Sequence, residues 1–457
     1  MAPHAITKKT TTLLKDYINL GTEEYATSVP HLPSALVHIV DAQNNVLFSH
    51  GSVPNNVFFS HDSPPDKRPT SSSMAIIQSL TKIVGAIAYM QLVESGFATL
   101  DDPATITTWL PELAAKQVLT GSTIDTQTGK KMWQFEDRKG DITARMLLNH
   151  TYGGGHTFFN KLLLEYIQDL GEGTWETTNE ASNPYGALLA SPLLWQPGSH
   201  TNYGQGLDWI AVLIERITKQ SLASYLQANI FDPLGLKEIG FEPQYGGDVV
   251  LSPYNTGKFW PRKMRNGREF VTIDPPDPKV VTRLDAFPEG DFHTGSLGTG
   301  LVASAADYTH LFSVLLPQNA GADPVSGHRV LSAGSVEEIC RPQLPQALRN
   351  DSRALQDSGA FSIIVPVDLS APFLDPKGSF GLGCGVQGAD RVLGNGQRGR
   401  RKGSVYWYGA PNIECWADGE KEVVVAVWGN YYPFCDKSWM AFVKGVEGLL
   451  YEGLERV

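Results

Sequence analysis

The run Ile83-Val-Gly-Ala-Ile-Ala-Tyr-Met90 is apolar on nearly every face that it would present as a helix. A helix with no polar stripe has to be covered all round, so the rest of the chain must pack about it. The run falls far short of the ~20 apolar residues that cross a bilayer, so protein rather than lipid supplies the cover. We predict a buried helix from about Ser79 to Ser95, with Ile83, Ile87, Met90 and Leu92 giving the apolar spacing and Gly96 the stop.

That helix opens on Ser79-Leu-Thr-Lys82, the one S-x-x-K of the sequence. A serine hydroxyl needs a base before it becomes a nucleophile. Residues three apart on a helix share a face, which sets Lys82 beside Ser79. The helix N-terminus favours a developing alkoxide, and an amine desolvated among apolar neighbours such as Ile83 can accept the proton. A helix start with a serine and a surface lysine is also commonplace, so the motif alone leaves both readings open.

Composition narrows the alternatives. Lys+Arg 37 against Asp+Glu 48 gives 37 − 48 = −11, the wrong sign for a nucleic-acid binder. The hydrophobic share of 42% and the charged share of 19% belong to a globular protein rather than a disordered one. Four cysteines (Cys340, Cys384, Cys415 and Cys435) without a C-x-x-C exclude zinc ribbons and dense disulfide scaffolds. The histidines show no ligand spacing, so we expect no metal and no cofactor. Neither G-x-S-x-G nor a P-loop occurs. The opening MAPHAITKKTTTLLKDYINL has no signal-like apolar run, and the expectation is a cytoplasmic protein, a monomer, outside the membrane.

Residues 10–27 read as an amphipathic helix, with Leu13, Leu14, Tyr17 and Ile18 on one side. Ala35–Val40 and Val46–Phe48, split by Asp41-Ala-Gln-Asn-Asn45, read as a hairpin. Further helices are expected at Thr143–Leu148, Lys161–Leu170, Leu207–Arg216, Ala305–Leu316 and Ser438–Tyr451. Strand-like runs follow at Phe361–Val367, Ser404–Tyr408, Ile413–Ala417 and Val423–Trp428. Residues 240–290 hold no convincing helix. They read as an ordered excursion or lid, since Phe259, Trp260, Phe270 and Phe287 would be costly in water.

Two more segments carry candidate chemistry. Tyr203-Gly204-Gln205 precedes the helix near Leu207, and a phenol there, near a lysine, could act as acid or base. A packed tyrosine is the plainer reading of that segment alone. Arg401-Lys402-Gly403-Ser404-Val405-Tyr406-Trp407-Tyr408-Gly409-Ala410 reads as a strand ending in a glycine turn, whose amides could face an oxyanion or merely close a hairpin. Arg400, Arg401 and Lys402 could be a solvated run.

Taken together and in this order, the segments resemble the serine β-lactamase-like superfamily of penicillin-binding proteins, class C β-lactamases and family VIII esterases. Gly96-Phe-Ala-Thr-Leu-Asp-Asp-Pro103 is similar to its G-x-x-x-L-D-D-P. Ile142-Thr-Ala-Arg-Met-Leu-Leu-Asn-His-Thr-Tyr-Gly153 is similar to its I-T-x-R-x-L-L-x-H-T-S-G. Gly300-Leu-Val-Ala-Ser-Ala-Ala-Asp-Tyr308 is similar to its G-L-x-S-x-x-D-Y. Tyr203-Gly-Gln-Gly-Leu-Asp-Trp209 and Arg400-Arg-Lys-Gly-Ser404 with Gly409-Ala-Pro-Asn-Ile413 resemble the branch of fungal lovastatin-pathway acyltransferases. The likeness covers roughly residues 30–450.

The resemblance implies an α/β (α+β) fold, β-lactamase/transpeptidase-like, with a central antiparallel sheet flanked by helices and an inserted, mainly helical region. The whole chain would be one catalytic unit, with a body of residues 1–98 plus 290–457 and a helical insertion and lid of 99–289. The resemblance also implies Ser79 as acylated nucleophile, Lys82 as its base and Tyr203 as proton shuttle, with the amides of Ser79 and Ala410 as oxyanion hole. Trp407, Tyr408 and Gly409 would replace the K-T-G strand and, with Gln205, His150 and Tyr152, line the substrate site. Gln205 departs from the family's Tyr-x-Asn, and Trp407 replaces the lysine that holds a β-lactam or peptide carboxylate. An uncharged acyl group is therefore the expected substrate, with bulkier Tyr408 and Ala410 altering the entrance. The implied activity is transfer of an acyl group from an ester or thioester donor, which CoA or a carrier protein could bear, to a hydroxyl or amine of a secondary metabolite. Hydrolysis of a natural-product ester, lactone or thioester by the same residues is the nearest alternative. Non-covalent chemistry in the pocket, or a retired binding protein, is the remaining class.

Overall fold

The computed structural model describes residues 6–23, 31–54, 68–157, 159–170, 184–241, 258–267, 269–273, 296–351, 375 and 377–454. Its frame is a seven-stranded sheet built from both ends of the chain. The strands are β1 (Ala35–Asp41), β2 (Val46–Ser52), β3 (Ser379–Phe380), β4 (Gly385–Val386), β5 (Val405–Gly409), β6 (Ile413–Asp418) and β7 (Val423–Trp428). They lie in the order β3-β4-β5-β6-β7-β1-β2, every neighbour antiparallel. The β1–β7 pair, with Leu36 opposite Trp428, joins the N-terminal hairpin to the C-terminal meander.

β1, β6 and β7 are buried at every position, so helices must cover both faces of the sheet. Residues opposite each other across a pair share a face. Trp416 stands opposite Val425 and reaches the Tyr451 hydroxyl with its indole N–H at 3.2 Å. Trp428, three residues beyond Val425, points the other way and meets Tyr308 at 6.4 Å between ring centroids. One face is therefore covered by the terminal helices Lys8–Thr22 and Lys437–Leu454, the other by Ala305–Ser313.

Beyond Ala305–Ser313 runs the apolar helix, Thr81–Glu94, buried at every position from Thr81 to Met90. At about 1.5–3 kcal/mol per large apolar side chain removed from water, Ile83 and Ile87 alone contribute several kcal/mol. Gly85 allows the close packing, for a Cβ there would lie 3.2 Å from Leu207 and 3.1 Å from Leu297. Gly96, at φ +72°, ends the helical segment.

The predicted helices and strands in the described residues are present; the opening helix stops at Thr22 rather than at residue 27, β2 runs four residues past Phe48 to Ser52, and the other ends move by at most three residues. Leu13 is an exception to the predicted apolar side. It is 41% exposed while Leu14 and Ile18, one turn apart, are buried. Of the basic run only Lys402 is exposed. Arg400 and Arg401 are buried; Arg400 bonds Glu414 at 2.6 Å and Glu447 at 3.2 Å, and packs its guanidinium 4.4 Å from the Trp416 ring centre. Residues 258–273 hold the short strands Lys263–Asn266 and Glu269–Thr272, tied to the body through Tyr431–Tyr432. The Phe361–Val367 strand and Phe287 lie outside the described residues. All four cysteines are free. Among the described residues, no helix is long and apolar enough to cross a membrane.

Candidate active site

Ser79 sits on a tight turn between the strand Met74–Ile76 and the buried helix. Gln78 takes φ +47°, a left-handed conformation that side chains avoid and that persists only where the surroundings impose it. The surroundings do so from three sides. The Ile77 N–H donates to the Leu301 carbonyl at 3.0 Å, and the Leu301 N–H donates to the Thr81 hydroxyl at 3.1 Å. The Tyr308 hydroxyl donates to the Leu80 carbonyl at 2.8 Å. Thr81 was not singled out from sequence, and Tyr308 only as a letter of a motif.

One helical turn on, Lys82 is 1% exposed. Its Nζ donates to Ser79 Oγ at 3.3 Å and to the Gly298 carbonyl at 2.8 Å. It also lies 4.6 Å from the centre of the Tyr203 ring, within cation–π range. The serine, lysine and tyrosine, which span 203 − 79 = 124 positions of the sequence, are thus in one contact group.

The Tyr203 segment rests on the 150–156 loop through glycines. The Asn202 N–H donates to the His150 carbonyl at 3.0 Å, and Asn202 Nδ2 to the Gly154 carbonyl at 3.0 Å. A Cβ on Gly204 would lie 2.9 Å from Gly155 Cα, so neither position has room for a side chain. The triple glycine 153–155 has this packing role. Tyr152 and Gln205 are buried in the same region.

Aromatic rings surround Tyr203. Centroid separations are 4.6 Å to His150, 5.5 Å to His156, 6.0 Å to Phe159 and 5.5 Å to Trp407. Phe380 closes the group at 4.8 Å from His150 and 5.4 Å from Trp407. His156, Phe159 and Phe380 were not anticipated, because they come from two distant segments, 156–159 and the strand at 379–380, with no shared pattern. His150, at φ +62°, accepts the Gly204 N–H on Nδ1 at 3.4 Å. Burial first, then the charge of Lys82 and the nearness of His156, hold its imidazole neutral, well below its usual pKa.

The strand after the basic run divides its side chains. Trp407 stands opposite Cys415 on the Tyr203 side of the sheet. Tyr408 stands opposite Glu414, on the Trp416 face, with its ring 5.6 Å from Tyr406 and 6.4 Å from Phe434. Strand alternation thus turns the Tyr408 side chain to the face opposite that of Trp407. Gly409 ends the strand against the Ser79 turn, so close that a Cβ would lie 2.4 Å from the Ile77 carbonyl oxygen. Ala410 follows it. Among the described residues, no group of three or more His, Cys, Asp or Glu side chains could hold a metal ion.

The family model described as Beta-lactamase matches residues 23–436. The chain belongs to the beta-lactamase family. Within that family it is 27% identical over 376 residues to the Monacolin J acid methylbutanoyltransferase of Aspergillus terreus, covering 82% of this chain and 81% of the relative. It is 30% identical over 230 residues to the Lovastatin esterase of Penicillium rubens, covering 49% of this chain and 53% of the relative. The unliganded simvastatin synthase of Aspergillus terreus superposes with a TM-score of 0.73 at 22% identity, over 99% of this chain and 100% of that one. That last likeness is one of fold, and it matches the antiparallel sheet and helical layers of this beta-lactamase family member.

Proposed function

We propose that this chain is a serine acyltransferase of secondary metabolism that works through an acyl-Ser79 intermediate. The observation that carries the reading is the position of Lys82 Nζ, 3.3 Å from Ser79 Oγ and 4.6 Å from the Tyr203 ring centre. In its neutral form Lys82 takes the Ser79 proton while Oγ attacks the donor carbonyl. The amides of Ser79 and Ala410 stabilise the oxyanion. The carbon–sulfur or carbon–oxygen bond of the donor breaks, and the leaving thiolate or alkoxide receives the proton held by Lys82 and Tyr203. An acceptor hydroxyl or amine then loses its proton to the same pair and attacks the ester, which frees Ser79.

The acyl group is small and uncharged. Trp407 occupies the place of a carboxylate-binding lysine, and the rings of His150, Phe380 and Trp407 offer no fixed charge to an anionic substrate. The donor is an ester or a thioester carried by CoA or a carrier protein. The methylbutanoyl group named for the Aspergillus terreus relative fits this size class.

The test is intact-protein mass spectrometry after exposure to small acyl thioesters. The expected result is one adduct on Ser79, absent from Ser79→Ala and discharged faster by an alcohol than by water. The esterase relative supports a second reading, hydrolysis with water as acceptor. Discharge by water at the alcohol's rate decides for it, and no adduct across a donor panel rules out both.

A further inference from the structure

Asp208 lies in the first turn of the helix Gly206–Thr218, three residues beyond Gln205, with its carboxylate buried. Its Oδ1 accepts the Ser296 hydroxyl at 2.6 Å and the Gly298 N–H at 3.0 Å. The Ser296 hydroxyl oxygen in turn accepts the Thr299 N–H at 3.0 Å, and the Ser296 carbonyl accepts the Gly300 N–H at 2.9 Å. One carboxylate oxygen thereby anchors a five-residue turn, 296–300. Position 298 must be glycine for this arrangement, because a Cβ there would lie 2.5 Å from Asp208 Oδ2. The carbonyl of that same residue is the acceptor 2.8 Å from Lys82 Nζ.

A neutral primary amine has two N–H donors and one lone pair. The lone pair must face Ser79 Oγ if Lys82 is to remove the serine proton. An N–H committed to the Gly298 carbonyl fixes the rotation of the amine about its last C–N bond and so restricts where the lone pair points. If the turn is free to shift, the carbonyl moves and that preference is lost. A misplacement near 1 Å is worth about 10²-fold in rate where geometry controls the step.

We infer that Asp208 is a positioning residue for acylation, which holds the 296–300 turn so that the Gly298 carbonyl aims the Lys82 amine at Ser79. The inference rests on the proposed acyl-Ser79 mechanism. The role is one of hydrogen-bond acceptance, so it survives loss of the charge. An asparagine at 208 keeps an oxygen for both Ser296 and Gly298, whereas an alanine keeps neither.

The experiment measures the single-turnover rate of acyl-Ser79 formation against concentration of a butyryl thioester donor, in the full-length protein. Asp208→Ala lowers the limiting rate by about 10²-fold and leaves the half-saturating donor concentration within about twofold. Asp208→Asn restores the rate to within about threefold of wild type. Ser296→Ala removes one of the two bonds to Oδ1 and the anchor of Thr299. It slows acylation while leaving the helix residue intact, and so carries the test if Asp208→Ala does not fold. The inference is overturned by acylation in Asp208→Ala or Ser296→Ala within about twofold of wild type, by a change confined to half-saturation, or by an asparagine variant as slow as the alanine one. A wild-type protein that forms no adduct at all, by contrast, overturns the acyl-enzyme reading itself.

Discussion

Gly409 and Ile77 touch through bare backbone: a Cβ on Gly409 would meet the Ile77 carbonyl oxygen at 2.4 Å. Ile77 begins the turn that carries Ser79, and Gly409 ends the strand that leads to Ala410. No rotamer of alanine relieves a clash with a fixed carbonyl, so Gly409→Ala has to push the strand end and the turn apart. We expect acyl-Ser79 formation to slow by about 10²-fold. The overpacking should cost about 1–3 kcal/mol of stability. Single-turnover mass spectrometry and thermal melting of the same sample read the two effects. An unchanged acylation rate would show that the strand end has no part in the reaction.

Arg400 and Glu447 are wholly buried, on the face of the sheet away from Lys82. Burial opposes the charge of Glu447, yet Arg400 and Arg391 outweigh it and hold its carboxyl below the usual range. Arg400→Met removes the central guanidinium and leaves Glu414 and Glu447 to be accommodated in the core. Breaking a buried pair from one side costs about 3–5 kcal/mol. Equilibrium urea unfolding at neutral pH should show that loss, while acylation under folding conditions stays within about twofold, because the cluster does not touch the site. A stability loss below about 1 kcal/mol would mean that water or a shifted partner replaces Arg400.

His38 stands in the middle of β1, and burial lowers its pKa from the usual 6.5 to about 4. Above pH 6.5 both the folded and the unfolded chain carry it neutral, and the stability is complete. As pH falls from 6.5 towards 4, the unfolded chain takes up a proton that the folded one refuses, so stability is lost with acid. At 1.36 kcal/mol per pH unit the whole window is worth about 3 kcal/mol. His38→Gln should flatten the dependence of unfolding free energy on pH between 6.5 and 5 by about one proton. Parallel profiles for the two proteins would locate the acid sensitivity elsewhere.

The parts legible in the sequence are those whose signal is local. The buried helix announces itself by an unbroken apolar run, Ser79 and Lys82 by their three-residue spacing, and the terminal hairpin by Asp41–Asn45 between two apolar runs. What escaped is long-range or too short to show a period. β3 and β4 are two residues each, and no periodicity survives at that length. Asp208 and Gly298 are 90 residues apart, and their bond depends on a turn placed by tertiary packing. Arg400 and Arg401 look like a surface run because the residues that neutralise them, Glu414, Glu420 and Glu447 among them, lie elsewhere in the chain. That Trp407 and Tyr408 face opposite sides of the sheet is likewise a matter of register, which composition does not decide.

Tyr203 offers Lys82 two different things, a ring face 4.6 Å from Nζ and a phenol. The two can be separated. Tyr203→Phe keeps the ring and removes the hydroxyl, so Lys82 keeps its seat between Ser79 and Gly298. Acylation should then fall modestly, whereas discharge to an alcohol acceptor, which needs a proton taken from the incoming hydroxyl, should fall by about 10²–10⁴-fold. The acyl-enzyme would accumulate and be visible in the intact mass. Tyr203→Ala removes the ring as well, leaves a cavity beside His150 and Trp407, and should slow acylation too. Separate measurement of adduct formation and adduct discharge in the two variants distinguishes the roles. Equal discharge rates in wild type and Tyr203→Phe would take the phenol out of the proton path and leave Lys82 as the sole base for both halves of the reaction.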